Sequence, residues 1–366
     1  MSMSETSTGR ETSDRIALGV SYFYRPWSTY RYLEDAFRSF CEVRYFGTSY
    51  KNRPGYAPDH NILDSVEKAG ADLAGFVSTE DCLFEAITRM ECPTAIWIGD
   101  YWPGYYHSLR YARLFDHVFM SQRDWLGDFS AAGCKQVHWL PFACDPQIHR
   151  DHQLERKYDV GFVGHVNLAS QLERLRLLTE LSQRYHMNDF STPAYLDEMA
   201  KVYSQSKIVV NMGYRGNFNM RVFEAMSCGA LLLTEDTGNG QRELFSPGVH
   251  LDIYRDKTEL FHKIDYYLAH EDERKGIAEA GQREVLTRHR YTDRARTITN
   301  VIQHHPLQRG RATDRDEILR IYALFHSRRR RVDLLLKSFA RSRCSISTRM
   351  YIGARLLKSM ENTLRA

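Results

Sequence analysis

The chain of 366 residues is 43% hydrophobic and 26% charged, an ordinary globular composition whose length corresponds to about two domains of roughly 100–200 residues each. Its net charge of +4 is unevenly placed: from Arg309 to Ala366 there are fifteen Lys/Arg against five Asp/Glu, which leaves the first 308 residues at −6. An acidic body repels phosphate backbones, which excludes a nucleic-acid binder as a whole, and no apolar run approaches the roughly 20 residues that span a bilayer.

Met1 to Asp14, rich in Ser, Thr and Glu, reads as a disordered leader without the apolar core of a secretory signal. From Arg15 onward, short β-branched or aromatic runs alternate with helix-length amphipathic stretches, the pattern of a parallel sheet flanked by helices, so the class is α/β. Strands are expected at Arg15–Tyr22, Glu42–Phe46, Asp72–Val77, Thr94–Ile98, Asp116–Met120 and Gln136–Leu140. Helices are expected near Thr29–Phe40, Asn61–Ala69, Glu80–Met90 and Arg123–Ala132. These make one doubly wound domain over residues 15–150.

The polar stretch His149–Lys157 interrupts the periodicity and reads as the interdomain connection. A second α/β unit follows over 158–304, with strands at Tyr158–Val163, Lys207–Asn211, Ala230–Thr234 and His250–Ile253 and a mainly helical end. Residues 309–366 form a basic extension in which Asp314–His326, Val332–Ala340 and Ser347–Met360 have helical amphipathicity. Seven scattered cysteines, with no C-x-x-C pair and no zinc-like spacing, point to a reduced, cytoplasmic chain without structural disulfides.

Two segments could carry chemistry in the second unit. Asp159–His165 is a strand ending in Gly164 and opening towards a helix. Glycine there lets the backbone approach an anion at the helix start, although many α/β proteins use it only to turn the chain. More informative is Lys207–Leu233, which reads as strand, polar loop, short helix and strand. In its helix Arg221 and Glu224 are three residues apart and share a face, so both charged ends could enter one cleft. A carboxylate beside an arginine stays ionised and can accept two hydrogen bonds from a ribose diol while the arginine faces phosphate oxygens. The alternative is a surface ion pair within one helix.

The words around this pair decide for the first reading. Arg221–Leu233, preceded by Ser206–Asn211, resembles the CgeB-like (spore maturation type) glycosyltransferases, a branch similar to glycosyltransferase family 4. Glu243–Gly248, Tyr254–Leu260, Ala278–Arg283 and His289–Arg294 look like the same family's C-terminal domain, and Ile96–Asp100 and Trp139–Asp145 like its N-terminal half. The resemblance implies a GT-B architecture: two Rossmann-like domains facing a cleft, the nucleotide-sugar donor on the C-terminal one and the acceptor against the N-terminal one. It implies that Glu224 matches the second glutamate of the Glu-x7-Glu motif and holds the nucleotide ribose. The first glutamate is replaced by Gly216, so Asn219 or Arg221 would share in positioning the donor, with Gly164 and His165 near the pyrophosphate.

On the acceptor side, Asp100 follows the strand Thr94–Ile98, at the usual ligand edge of an α/β sheet, and precedes an aromatic cluster containing His107. Asp100 or His107 could take the acceptor hydroxyl proton if transfer inverts the anomeric centre. Asp100 could equally cap the next helix. No metal and no cofactor beyond the donor substrate are expected, and Asp314-Arg315-Asp316, although a D-x-D, lies in the basic tail outside any sheet. The tail itself, basic residues interleaved with Leu, Ile and Met, fits two roles: peripheral contact with an anionic inner membrane face, or docking on the acidic body and self-association. Two other functions share the fold: a catalytically silent nucleotide- or glycan-binding protein, and a sugar-nucleotide epimerase.

Overall fold

A computed structural model describes residues 15–22, 24–46, 73–79, 87–88, 90–100, 106–166, 171–213, 215–305, 315–328, 336 and 344–364. The expected leader, the helices near Asn61–Ala69 and Glu80–Met90, and the segment Val332–Ala340 lie outside the described residues, or almost wholly so.

The first sheet contains β1 (Ala17–Ser21), β2 (Glu42–Phe46), β3 (Gly75–Thr79), β4 (Thr94–Ile98), β5 (His117–Met120) and β6 (Val137–Trp139). Their order is β2-β1-β3-β4-β5-β6, all parallel. The second contains β7 (Tyr158–Gly161), β8 (Ser206–Asn211), β9 (Leu231–Glu235) and β10 (Asp252–Tyr254), in the parallel order β10-β9-β8-β7. The connecting helices are α1 (Thr29–Arg38), α2 (Tyr106–Ala112), α3 (Leu126–Ala131), α4 (Leu172–Arg184), α5 (Leu196–Ser204), α6 (Arg221–Ser227), α7 (Gln241–Leu244), α8 (Lys257–Ala269), α9 (Glu271–Arg288) and α10 (Tyr291–His304). The tail adds α11 (Arg315–Arg328) and α12 (Ile346–Leu364).

Strands β3, β4 and β5 are buried along their whole length. Helices cover both faces of such a sheet, which is why these strands contain apolar runs (Phe76–Val77, Ala95–Ile98, Val118–Met120) instead of alternating. Two strands are displaced from their expected places. β3 starts at Gly75, not Asp72, because Leu18 pairs with Gly75 and Phe76 with Thr94, and this fixes its register between two neighbours. β10 starts at Asp252 because His250 is held in a turn by its N–H donating to Ser246 O. The expected helix Arg123–Ala132 is a 3-10 turn over Arg123–Trp125 followed by α3.

Helix α10, which the pattern groups with the second unit, packs against α1, β3 and β4 of the first sheet. Gly75 makes this possible: a Cβ there would lie 2.5 Å from Ile302 Cγ2, so only a bare backbone admits the helix so close. Arg294 then fastens α10 to the strand-like segment after β6. Its Nε donates to Pro141 O at 2.8 Å, and one terminal nitrogen donates to Phe142 O at 3.0 Å and to His289 Nδ1 at 2.9 Å.

The two halves meet at a buried amide. Gln122, at the end of β5, donates from Nε2 to Phe218 O at 2.9 Å and accepts from Phe218 N at 2.9 Å. Both residues are buried. Replacing Gln122 by alanine should cost about 1–3 kcal/mol for each Phe218 backbone group left unpaired. A urea midpoint for Gln122→Ala that matches wild type would show that the clamp contributes nothing.

Candidate functional site

Helix α6 is fully embedded from its second residue: Val222, Phe223, Glu224, Ala225, Met226 and Ser227 are all buried. Asn219 starts it, its Oδ1 accepting from Arg221 N at 3.1 Å. Phe223 anchors it among the rings of Phe218, Phe245 and His289. Arg156, from the stretch that reads as a mere connection, holds its far end. One terminal nitrogen of Arg156 donates to Cys228 O and Gly229 O at 3.3 and 2.8 Å, and the other to Tyr203 O and Ser206 O at 3.0 and 3.1 Å. These carbonyls follow the ends of two helices, where no amide of the helix itself is available, so one guanidinium satisfies both.

Arg221 turns towards the glycine loop that follows β7. Its Nε donates to Val163 O at 2.8 Å, one terminal nitrogen donates to Asn211 Oδ1 at 2.7 Å, and its guanidinium carbon lies 4.4 Å from the centre of the Phe162 ring. The other terminal nitrogen passes over Gly164, where a Cβ would sit 2.2 Å from it. Gly164 is therefore required by the arginine that crosses it. His165, next in the chain, is exposed and its carbonyl accepts from Arg174 at 3.0 Å.

Glu224 takes a different direction, and the two side chains form no ion pair within 4.0 Å among the described residues. This excludes the surface-pair reading, since Glu224 is only 5% exposed. Its carboxylate lies near Tyr32 of α1, Tyr203 of α5, Tyr291 of α10 and Cys228, each of whose proton affinities is raised in part by the glutamate's charge. His149, fully buried, completes the wall with Nε2 3.6 Å from Glu224 Oε1. His149 Nδ1 accepts from Asp145 N at 2.9 Å, so the ring proton of the neutral form sits on Nε2 and points to the glutamate. Burial holds the His149 pKa down at about 3 and raises that of Glu224 to about 7, the Arg221 charge opposing the latter. The His149–Glu224 contact is thus one between a neutral imidazole and a carboxyl group, not an ion pair. Among the described residues no donor forms a hydrogen bond to the Glu224 carboxylate.

Across the junction, Trp27 stacks on Tyr195 at 4.7 Å, and Thr29 contacts Met220, the residue just before α6. Asp100 is exposed beyond the end of β4, on the same edge of the first sheet as Gln122. His107 lies in the first turn of α2 and its side chain is outside the described residues. Beside the Gly164–Arg221 corner, at the C-terminal ends of β8, β9 and β10, opens a cavity of about 760 Å³ lined by Arg174, Gly213, Arg215, Glu235 and Tyr254 among others. The structure thus brings Gly164, Asn219 and Arg221 together, while Glu224, on the same helix, faces the tyrosines and His149. It adds His149, Arg156, Tyr32 and Tyr291, which lie far from α6 in sequence and share no motif with it.

A carboxyl group whose pKa rises from 4.5 unfolded to about 7 folded imposes no penalty below the unfolded value. It destabilises increasingly as pH climbs through the folded one. Glu224→Gln should match wild-type stability near pH 4 and exceed it near pH 8 by on the order of 3 kcal/mol at most. Thermal melts of the two proteins in parallel across this range, superimposable at every pH, would rule out the buried carboxylate.

Residues 154–300 match the model of a family described as glycosyl transferase-like. No curated protein matches the chain significantly. Solved structures do. HepE of Anabaena, in complex with UDP and glucose, superposes with a TM-score of 0.59 at 11% identity, covering 79% of this chain and 100% of that one. A glycosyltransferase from Rickettsia africae gives 0.58 at 9% identity over 80% and 99%. Sucrose-phosphate synthase from Thermosynechococcus elongatus gives 0.54 at 12% over 79% and 99%. The chain has the GT-B fold, two Rossmann-like domains each built on a parallel sheet, and the match to the glycosyl transferase-like family model falls on the second of them.

Proposed function

We propose that this chain is a glycosyltransferase that moves a sugar from a nucleoside diphosphate donor to a hydroxyl acceptor. The observation that carries the reading is Glu224: a buried carboxylate to which no donor among the described residues forms a hydrogen bond, one helical turn from an arginine that crosses a glycine loop. Leaving such a group without a partner costs free energy. The vicinal hydroxyls of a ribose supply the two donors it lacks, and the diphosphate then runs towards Gly164, His165 and Arg221. The CgeB-like words around α6 and the UDP complexes of HepE support the same assignment.

In the transfer, the acceptor oxygen forms a bond to the anomeric carbon as the bond to the diphosphate oxygen breaks, and the nucleoside diphosphate leaves with the bonding pair. Arg221 offsets the charge that grows on this leaving group. Asp100 or His107, at the acceptor edge of the first sheet, would take the hydroxyl proton in an inverting reaction. The guanidinium supplies positive potential without a cation, so donor binding should survive EDTA. One feature favours a second reading, a silent nucleotide- or glycan-binding protein: Gly216 stands where a glutamate would position the donor sugar.

A thermal-shift titration with UDP, GDP, dTDP, ADP and CMP tests the site. One nucleotide should add about 2.7 kcal/mol of stability at 100 times its dissociation constant, with and without EDTA, and this gain should vanish in Glu224→Ala. No gain with any nucleotide would defeat the donor assignment. A gain without even slow hydrolysis of the matching nucleotide-sugar would establish the silent binder.

A further inference from the structure

The outer face of the C-terminal helix is unlike the rest of the surface. Helix α11 seats the tail on the first domain, with Glu317 paired to Arg113 at 2.6 Å and Ile321 packed in that domain's core. Helix α12 lies on α11 through Thr348, Ile352 and Ser359, all fully buried, and Arg320 binds Thr348 Oγ1 and Ser347 Oγ at 2.8 and 2.9 Å. The opposite side carries Ile346, Met350, Leu357 and Met360, which are 81, 70, 65 and 43% exposed. At 100° per residue these four fall within one narrow stripe, and exposed Arg349 and Lys358 flank it on its two sides.

We propose that this stripe is a docking face for a lipid surface bearing anionic headgroups, which holds the first domain, the acceptor side, against a membrane. An apolar row between two cationic edges is the pattern of a helix lying in the bilayer interface, with the apolar side chains among the acyl chains and the Arg and Lys heads among phosphates. The charge agrees: the extension from Arg309 to Ala366 has ten more basic than acidic side chains, and each basic group near an anionic surface adds to binding. A second copy is the poorer occupant, because matching the stripe against itself brings cationic edges of like sign together. The contact is peripheral: among the described residues no helix is long and apolar enough to cross a membrane. The inference stands independently of the donor site.

The test is flotation of the full chain with vesicles of equimolar phosphatidylcholine and phosphatidylglycerol, and with phosphatidylcholine alone. Wild type should float with the anionic vesicles, sink with the neutral ones, and be released by raised salt. The triple variant Ile346→Ser, Met350→Ser, Leu357→Ser and the double variant Arg349→Glu, Lys358→Glu should each bind at least about tenfold more weakly. Ile346, Met350 and Leu357 are exposed, so circular dichroism melts of the triple variant should coincide with wild type. Wild type that sinks with anionic vesicles overturns the proposal, as do variants that float as well as wild type. So does a wild-type dimer, seen by sedimentation velocity, that the triple variant converts to monomer while neither protein floats.

Discussion

The side-chain amide of Gln122 is the constraint on which the site depends. It binds both polar groups of Phe218 in a fully buried position, so the end of β5 is stitched to the loop that leads into α6. A side-chain amide answers an N–H with its oxygen and a C=O with its nitrogen at once, without charge. A carboxylate or a cation there would be buried with one partner of the wrong kind. With Phe218 fixed, its ring packs against Phe223, and α6 enters the core at a set angle. The orientation of Glu224 is thus determined partly from the other domain.

Other long-range hydrogen bonds do comparable work. Arg156 collects four carbonyls around the ends of α5 and α6, and Arg294 ties α10 back to Pro141 and Phe142. Both guanidiniums are desolvated enough to lower their proton affinity, that of Arg294 to about 10, yet both remain cations at neutral pH. Arginine tolerates this because it carries five donors in a rigid fork, so one side chain can reach several oxygens with little loss of side-chain freedom.

The alternation of apolar strands and amphipathic helices made the α/β class and the two sheets legible, because a buried parallel strand and a half-buried helix leave different local periods. The motif around Glu224 was legible for the same local reason: strand, loop, helix and strand follow one another within Lys207–Leu233. Gln122, His149 and Arg156 were not, since a polar residue in a loop looks alike whether it faces water or a backbone carbonyl from another domain. The packing of α10 was hidden too. Nothing in Tyr291–His304 indicates which sheet it covers, and the deciding feature, the bare backbone of Gly75, lies more than two hundred residues earlier. The same local reading put the Arg221 and Glu224 ends in one cleft, and their directions diverge because Val163 and Asn211 hold the guanidinium away.

That divergence has a chemical meaning. Arg221 is satisfied by Val163 and Asn211 and keeps its charge beside the glycine loop. Glu224 is enclosed by Tyr32, Tyr203, Tyr291 and a neutral His149, and burial brings its pKa to about 7. A resting carboxyl group near half-protonation is poised between two states, and any ligand that donates hydrogen bonds to it favours the ionised one. On the proposed reading, a diol bound there would favour the ionised form by donating hydrogen bonds to it. Tyr32 belongs to the first domain and Glu224 to the second, so the approach of the domains sets the desolvation that makes the carboxylate want a partner.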